Sequence, residues 1–195
     1  MPLYQKVWVD AGGFSGGGIG GGGSVLCLFE EGARELAEGL ARGIGDRAVL
    51  VGAAGAEVVL PADLVGWIDL CDLGRADPGA ELGRLRLLQR ALGGRADMRV
   101  LHVTRGLLDM DGPQPSVAGA RMASFVRTLT AEYGGVQATV LDIDRPDAGA
   151  ILAEAATVEP YGEICHRDGR RLRPGLRALA APTPGCARTP MPCMW

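Results

Sequence analysis

The chain has 195 residues, 47% of them hydrophobic, a length and composition that suit one domain with a real core. A formal charge of −3 and a pI of about 5.4 deny it the positive field that gathers nucleic acid or anionic lipid. Aromatics make up only 5%, so the core must come from Leu, Val, Ile and Ala; of the 20 basic residues only Lys6 is a lysine, and asparagine is absent.

The opening MPLYQKVWVD carries no apolar signal core, and no uninterrupted apolar run approaches the roughly 18 to 20 residues of a membrane span. A soluble, cytoplasmic protein is expected, with no membrane partner. Tyr4–Val9 is a short strand candidate, and residues 12–23 (GGFSGGGIGGGG) read as a flexible linker. Ser24–Phe29 (SVLCLF) is a continuous apolar run, as a parallel strand covered on both faces requires. Ala33, Leu36, Ala37, Leu40, Ala41 and Ile44 then repeat at helical spacing. Arg47–Val51 is a strand, Glu57–Leu60 a candidate for another short one, and Leu64–Leu70 a further strand. Leu82, Leu85, Leu88 and Leu92 mark the next helix, Met98–Val103 the next strand, and Ala118, Met122, Phe125, Val126 and Leu129 the stripe of a long helix. Val136–Ile143 is a strand and Ala148–Ala156 a short helix.

Near the end, Tyr161–Arg167 and Arg170–Leu176 flank Asp168-Gly169, a dipeptide suited to a type I′ hairpin turn. The division is then 1–23 (N-terminal strand and Gly-rich linker), 24–179 (α/β unit) and 180–195 (Pro-rich tail). Strand alternating with helix predicts a truncated, doubly wound, Rossmann-like parallel sheet closed by a C-terminal β-hairpin.

Such a sheet invites a dinucleotide site, and the parts of one can be sought individually. GxGxxG occurs at Gly16, Gly18 and Gly21, but before the first long strand, whereas a phosphate loop must follow that strand and open the helix. The true strand-to-helix turn is Glu30-Glu31-Gly32-Ala33, where two carboxylates stand in the place of the bare N–H groups a pyrophosphate needs. The second strand ends in Gly52-Ala53, with no acid for a ribose hydroxyl and no arginine for a 2′-phosphate. Strand ends carrying Glu30, Glu31, Asp69, Asp72, Asp142 and Asp144 against Arg105 alone predict an acidic ledge that repels an anionic cofactor.

Catalytic pairs are equally hard to assemble. A short-chain reductase needs a tyrosine with a lysine four residues on to lower its pKa. Tyr4, Tyr133 and Tyr161 are followed at that spacing by Trp8, Gln137 and Cys165, and Lys6 precedes the fold. His102 on a central strand and His166 beside the hairpin turn read as core or surface residues, and no GxSxG elbow exists. Asp142 and Asp144 are expected to be a solvated pair. The cluster Arg167, Arg170, Arg171, Arg173 and Arg177 could meet a carrier domain or RNA, but a solvated or inter-domain face is favoured, since there is no aromatic stacking platform. Cys27, Cys71, Cys165, Cys186 and Cys193 are odd in number with no CxxC spacing, so no zinc site or disulfide framework is expected. Three of them lie inside predicted strands as small buried hydrophobes. No catalytic, cofactor-binding or metal residue is assigned.

From Leu3 to about Leu179 the chain resembles the structural subdomain of ketoreductases in modular type I polyketide synthases. LYQKVWV (Leu3–Val9), MRVLHVTRG (Met98–Gly106), VAGARMASFVRTLTAEYGGVQATVLDID (Val117–Asp144) and EICHRDGRRLRPGLRAL (Glu163–Leu179) carry the resemblance, in order and spacing. It implies a non-catalytic scaffold within a multienzyme of bacterial polyketide biosynthesis, paired with a catalytic half that binds NADPH and reduces a β-keto group tethered to an acyl carrier protein. The expected partners are that catalytic half and neighbouring synthase domains, the carrier protein among the candidates. This chain ends before a TGGxGxxG loop, so no catalytic residue carries over and no cofactor is expected on it. Its GGGIGGGG spacer and Pro-rich ending depart from the family pattern. Three other readings stand beside this one: a pseudo-ketoreductase supporting a neighbouring methyltransferase or dehydratase, a stand-alone short-chain reductase, and a small binding module that meets a carrier protein through the arginine hairpin.

Overall fold

The computed structural model describes residues 3–14, 16–19, 21–53, 58–74, 78–93, 95, 97–108, 116–157 and 162–179. The Pro-rich tail, Tyr161, Glu57, Cys186 and Cys193 lie outside them.

Eight strands form one sheet: β1 (Tyr4–Asp10), β2 (Ser24–Phe29), β3 (Ala48–Gly52), β4 (Leu64–Asp72), β5 (Met98–Arg105), β6 (Val136–Ile143), β7 (Glu163–Arg167) and β8 (Arg170–Ala178). Their order is β1-β8-β7-β6-β5-β4-β2-β3. Strands β2 to β7 pair in parallel, and β8 is antiparallel to both β7 and β1, so β8 alone runs against the rest. The apolar runs at β2, β4, β5 and β6 are buried because helices cover both faces. Helices α1 (Arg34–Ile44) and α4 (Ala148–Ala155) pack on one face through Ala37, Leu40, Ile151 and Ala155. On the other lie α2 (Pro78–Leu92) and α3 (Ala120–Glu132), through Leu88, Leu92, Met122, Val126 and Leu129. The fold is thus a doubly wound α/β sheet with an antiparallel hairpin at its end, as the alternation predicts.

Three local expectations change. Val58–Leu60 are not a strand; Val58 and Leu60 instead pack against the α2/α3 core, in a β3-to-β4 connection whose described residues contain no helix. Phe125 is only half-buried at the edge of the α3 stripe, and Ala118 precedes the helix. The glycine run is pinned rather than free: Ile19 is buried against β2 and β4, and Arg47 Nη1 donates to the carbonyls of Ile19, Gly21 and Gly23 at 2.7–3.2 Å. Phe14 also lies against His166 and under Arg171, so two apolar residues and Arg47 anchor the segment.

The hairpin turn is as predicted. Asp168 (φ 51°) and Gly169 (φ 74°) both take the left-handed values of a type I′ turn. Beyond Leu172, β8 has only β1 as a neighbour, so Tyr4–Val9 and Arg173–Ala178 form a two-stranded ribbon past the end of β7. Leu3, Tyr4, Leu176 and Leu179 are exposed on it. No helix among the described residues is long and apolar enough to cross a membrane.

Candidate functional site: the switch-point cleft and the ionic clusters beneath the helices

In an open parallel sheet, ligands sit outside the carboxyl ends of the strands where the strand order reverses. Here the chain steps outward from β2 to β3 and then returns to β4 on the other side of β2. At that point lies a cleft of about 810 Å³, floored by Leu36, Leu70, Cys71 and Ala148 and rimmed by Glu30, Glu31, Glu35, Arg42 and Arg105. Its volume falls in the range of small-molecule sites. Its phosphate end does not suit a dinucleotide. The turn after β2 is a 3₁₀ turn, Glu31–Ala33, and the Ala33 N–H is already spent on the Glu30 carbonyl at 2.8 Å. Arg34 grips Glu31 through two 2.7 Å hydrogen bonds, and this contact holds the carboxyl below its ordinary pKa. The Glu31–Arg34 ion pair therefore occupies the helix N-terminus, where the helix dipole would otherwise receive an anion.

Behind the cleft, on the α2/α3 face, is a charged group that the sequence reading placed on an exposed ledge. Asp69 and Asp72 are each 1% exposed, and Arg84 from α2 joins them: Nη1 reaches Asp69 at 3.0 and 3.2 Å and Asp72 at 3.0 Å, and Nη2 reaches Asp72 at 2.8 Å. His102 of β5, fully buried, has Nδ1 3.5 Å from Asp69 and Nε2 3.6 Å from Asp72. Burial raises the Asp69 pKa, but His102, the Arg84 charge and the Cys71 N–H (3.0 Å) outweigh it and hold the carboxyl at about 2. The same carboxylates push Arg84 up against the downward pull of burial. Gly119 (φ 76°) closes the cluster: a Cβ there would lie 2.8 Å from the Asp72 Cβ and 3.0 Å from His102 Nε2.

Asp69, Asp72 and His102 bring donor atoms within 4.8 Å of one another, close enough for a metal ion. The Arg84 guanidinium, however, already bonds both carboxylates. A divalent cation would have to displace it and strand a buried arginine, so the group fits an internal ion-pair cluster better than a metal centre.

Asp142 is likewise not the solvated acid expected. It is fully buried; its oxygens accept the Thr104 hydroxyl (2.7 Å) and the Leu107 and Leu108 N–H groups (2.9 and 3.1 Å), and it pairs with Arg167. It ties the chain after β5 to β6 and to the hairpin. Asp144 accepts the Asp168 N–H at 2.8 Å, so this acid also serves the turn. On the α1/α4 face, Glu154 (1% exposed) takes the fork of Arg171 at 2.8 and 2.9 Å, with His166 Nε2 at 3.5 Å. Burial raises the Glu154 pKa, and Arg171 and His166 reverse the direction.

The arginine cluster of the hairpin is thus divided, with Arg167 and Arg171 turned inward to Asp142 and Glu154. The remaining ledge acids are Glu30 and Glu31, beside Glu35 and opposite Arg42 and Arg105. Lys6 pairs with Glu163 and lies 5.0 Å over the Trp8 ring, Tyr4 is exposed on β1, and Tyr133 ends α3. Cys27, Cys71 and Cys165 are buried free thiols; burial pushes Cys27 and Cys165 up to about 12, far from thiolate reactivity at neutral pH. The buried pairs escaped sequence reasoning because Arg84 looks like any helix-surface arginine. The available signal was two acids at the end of an otherwise apolar strand.

The doubly wound unit, taken as a fold, is shared with solved structures. No protein-family model matches the chain. Among solved structures, the fold is that of ketoreductase domains from polyketide synthases. The first ketoreductase of the tylosin synthase matches at a TM-score of 0.66 and 18% identity over 91% of this chain and 41% of its own. The A-type ketoreductases from a modular polyketide synthase match at 0.67 and 16% identity, over 96% and 44%. A multidomain structure with adenylation, ketoreductase and pseudo-Asub domains, from a keto acid-selecting NRPS module, matches at 0.74 and 16%, over 90% and 18%. The chain spans less than half of each of these three structures.

Proposed function

We propose that this chain is the non-catalytic scaffold half of a polyketide synthase ketoreductase, holding a separate NADPH-dependent catalytic half in its working form. The observation that carries this reading is the Glu30-Glu31 turn, which puts two carboxylates where a phosphate would bind in a fold that otherwise matches ketoreductase chains over less than half their length. The exposed apolar ribbon of β1 and β8 supports it, since such surface marks contact with another domain. On this reading the chain is not an enzyme by itself, binds no nicotinamide cofactor, and works in the cytoplasm beside neighbouring synthase domains and an acyl carrier protein.

Calorimetric titration of the isolated chain with NADPH at low salt is expected to give no saturable heat. A Kd below about 100 μM, roughly −5.5 kcal/mol, would overturn this part of the proposal. Co-expression with the catalytic half is expected to give a stable complex that reduces a simple ketone such as a decalone. The catalytic half alone is expected to be poorly soluble or weakly active. Glu30→Lys leaves the activity of the complex intact, because the cleft holds no cofactor. A catalytic half that is stable and fully active by itself removes the scaffold role, and support of a neighbouring methyltransferase or dehydratase then becomes the better account.

A further inference from the structure

At the opposite end of the sheet from the switch point, a second pocket of about 320 Å³ opens at the amino ends of β4, β5 and β6. Its walls are Val65, Met98 and Gln137 from the strands, Ala156 and Thr157 just after α4, and Gly18 and Gly21 of the pinned glycine run. Arg99, second residue of β5, lines it while being only 6% exposed.

The hydrogen bonding of Arg99 is incomplete. Its Nη2 donates to the Glu154 carbonyl at 3.1 Å, while Nε and Nη1 are buried without an acceptor. The Glu154 carboxylate is turned to Arg171, one oxygen to Nε at 2.8 Å and the other to Nη2 at 2.9 Å, and acts on Arg99 through its charge rather than through a hydrogen bond. Burial pushes the Arg99 pKa down and Arg171 adds to this, while Glu154 opposes it. A guanidinium does not escape the conflict by losing its proton, since arginine stays charged in proteins. Buried charge with open donors calls for an acceptor that brings negative charge of its own. The exposed Asp97 on the rim limits how much charge can enter, disfavouring a dianion.

We infer that Arg99 anchors an anion-binding site at the amino ends of the central strands, suited to a compact, singly charged oxyanion such as a small carboxylate. Arg99 lines the pocket while its Nε and Nη1 stay without an acceptor, and nothing lies within 4 Å of a Cβ position at Gly21, so the wall there leaves room for a small group. Nothing in this site depends on the scaffold reading, since it lies away from the switch-point cleft.

The test uses the full chain and three salts at matched ionic strength: sodium acetate, sodium phosphate and sodium chloride. Acetate is expected to raise Tm saturably by about 3 °C in the millimolar range, with chloride showing no saturation. Phosphate is expected to act more weakly, and Asp97→Asn to strengthen its effect by removing the like charge at the rim. Arg99→Met, which keeps the stem but removes the charge, is expected to abolish the acetate response without lowering Tm in chloride. The NMR signal of the Arg99 Nε–H in the wild-type chain gives a second readout, expected to shift with acetate and to saturate over the same range. An acetate response that survives in Arg99→Met overturns the site. So does a wild-type Arg99 Nε–H that is indifferent to both acetate and phosphate.

Discussion

On the α2/α3 face two buried carboxylates, Asp69 and Asp72, share the guanidinium of Arg84, with His102 between them. On the α1/α4 face two buried guanidiniums approach one glutamate, and only Arg171 obtains the carboxylate; Arg99 is left with a carbonyl. At the same depth, Arg84 bonds two carboxylates and Arg99 only a carbonyl, although Arg84 Nε and both His102 nitrogens also lack a hydrogen-bond partner. Burial by itself therefore says little about what a charge does. What decides is whether the donors and acceptors around it are used up, since a paired buried ion is costly to break and an unpaired one is costly to keep.

The sharpest way to break this contrast is to remove each arginine in turn. Arg84→Met strands Asp69 and Asp72 beside each other in the core and is expected to cost about 4 kcal/mol, read from urea unfolding. Arg99→Met removes a guanidinium that is incompletely met, and equal or greater stability is expected. If both variants lose similar stability, the two faces do not differ in the way described.

A smaller effect is expected from pH. Asp69 is held at about 2, below the carboxylate value of about 3.9 in an unfolded chain. A folded pKa depressed in this way adds stability above the unfolded value, lost as pH falls from about 4 toward 2. The contribution is about 3 kcal/mol, and Asp69→Asn is expected to flatten that part of the urea midpoint against pH. A wild-type curve no steeper than that of the variant would show that Asp69 is not held ionised by its neighbours.

The smallest change tests a site with no buried charge at all. Gly169 has φ 74° and nothing within 4 Å of a Cβ, so Gly169→Val meets only the left-handed backbone penalty. That penalty is about 1 to 2 kcal/mol, visible as a lower Tm. A variant that melts with the wild type would mean that the turn relaxes to another type at no cost.

Apart from the short strand expected at Glu57–Leu60, the elements were legible in the sequence to within a residue or two. Ser24–Phe29 and Val136–Ile143 coincide with β2 and β6, because an apolar run of strand length between turn residues has few other solutions. The Asp168-Gly169 turn was legible for the same local reason: few residues tolerate two consecutive positive φ values. The carboxylates of the Glu30-Glu31 turn could be placed as well, since their position relative to β2 follows from chain order alone.

What the sequence could not decide was which charges face water. Asp142 and Glu30 both follow apolar strand residues, yet Asp142 is sealed under the chain after β5 and paired with Arg167, while Glu30 lines an open cleft. Arg84 and Arg90 lie on the same helix; one is buried against β4 and the other donates to the exposed Val58 carbonyl. Ile19, alone among glycines, becomes a core residue because β2 and β4 offer it a place. These outcomes depend on partners 12 to 59 residues away in the chain, as with Arg84 and Asp72, or Arg167 and Leu108. Local pattern reports whether a segment can bury one face; only the packed structure brings an acid and a base from separate segments to hydrogen-bonding distance, and pairing at that distance is what makes a buried charge tolerable.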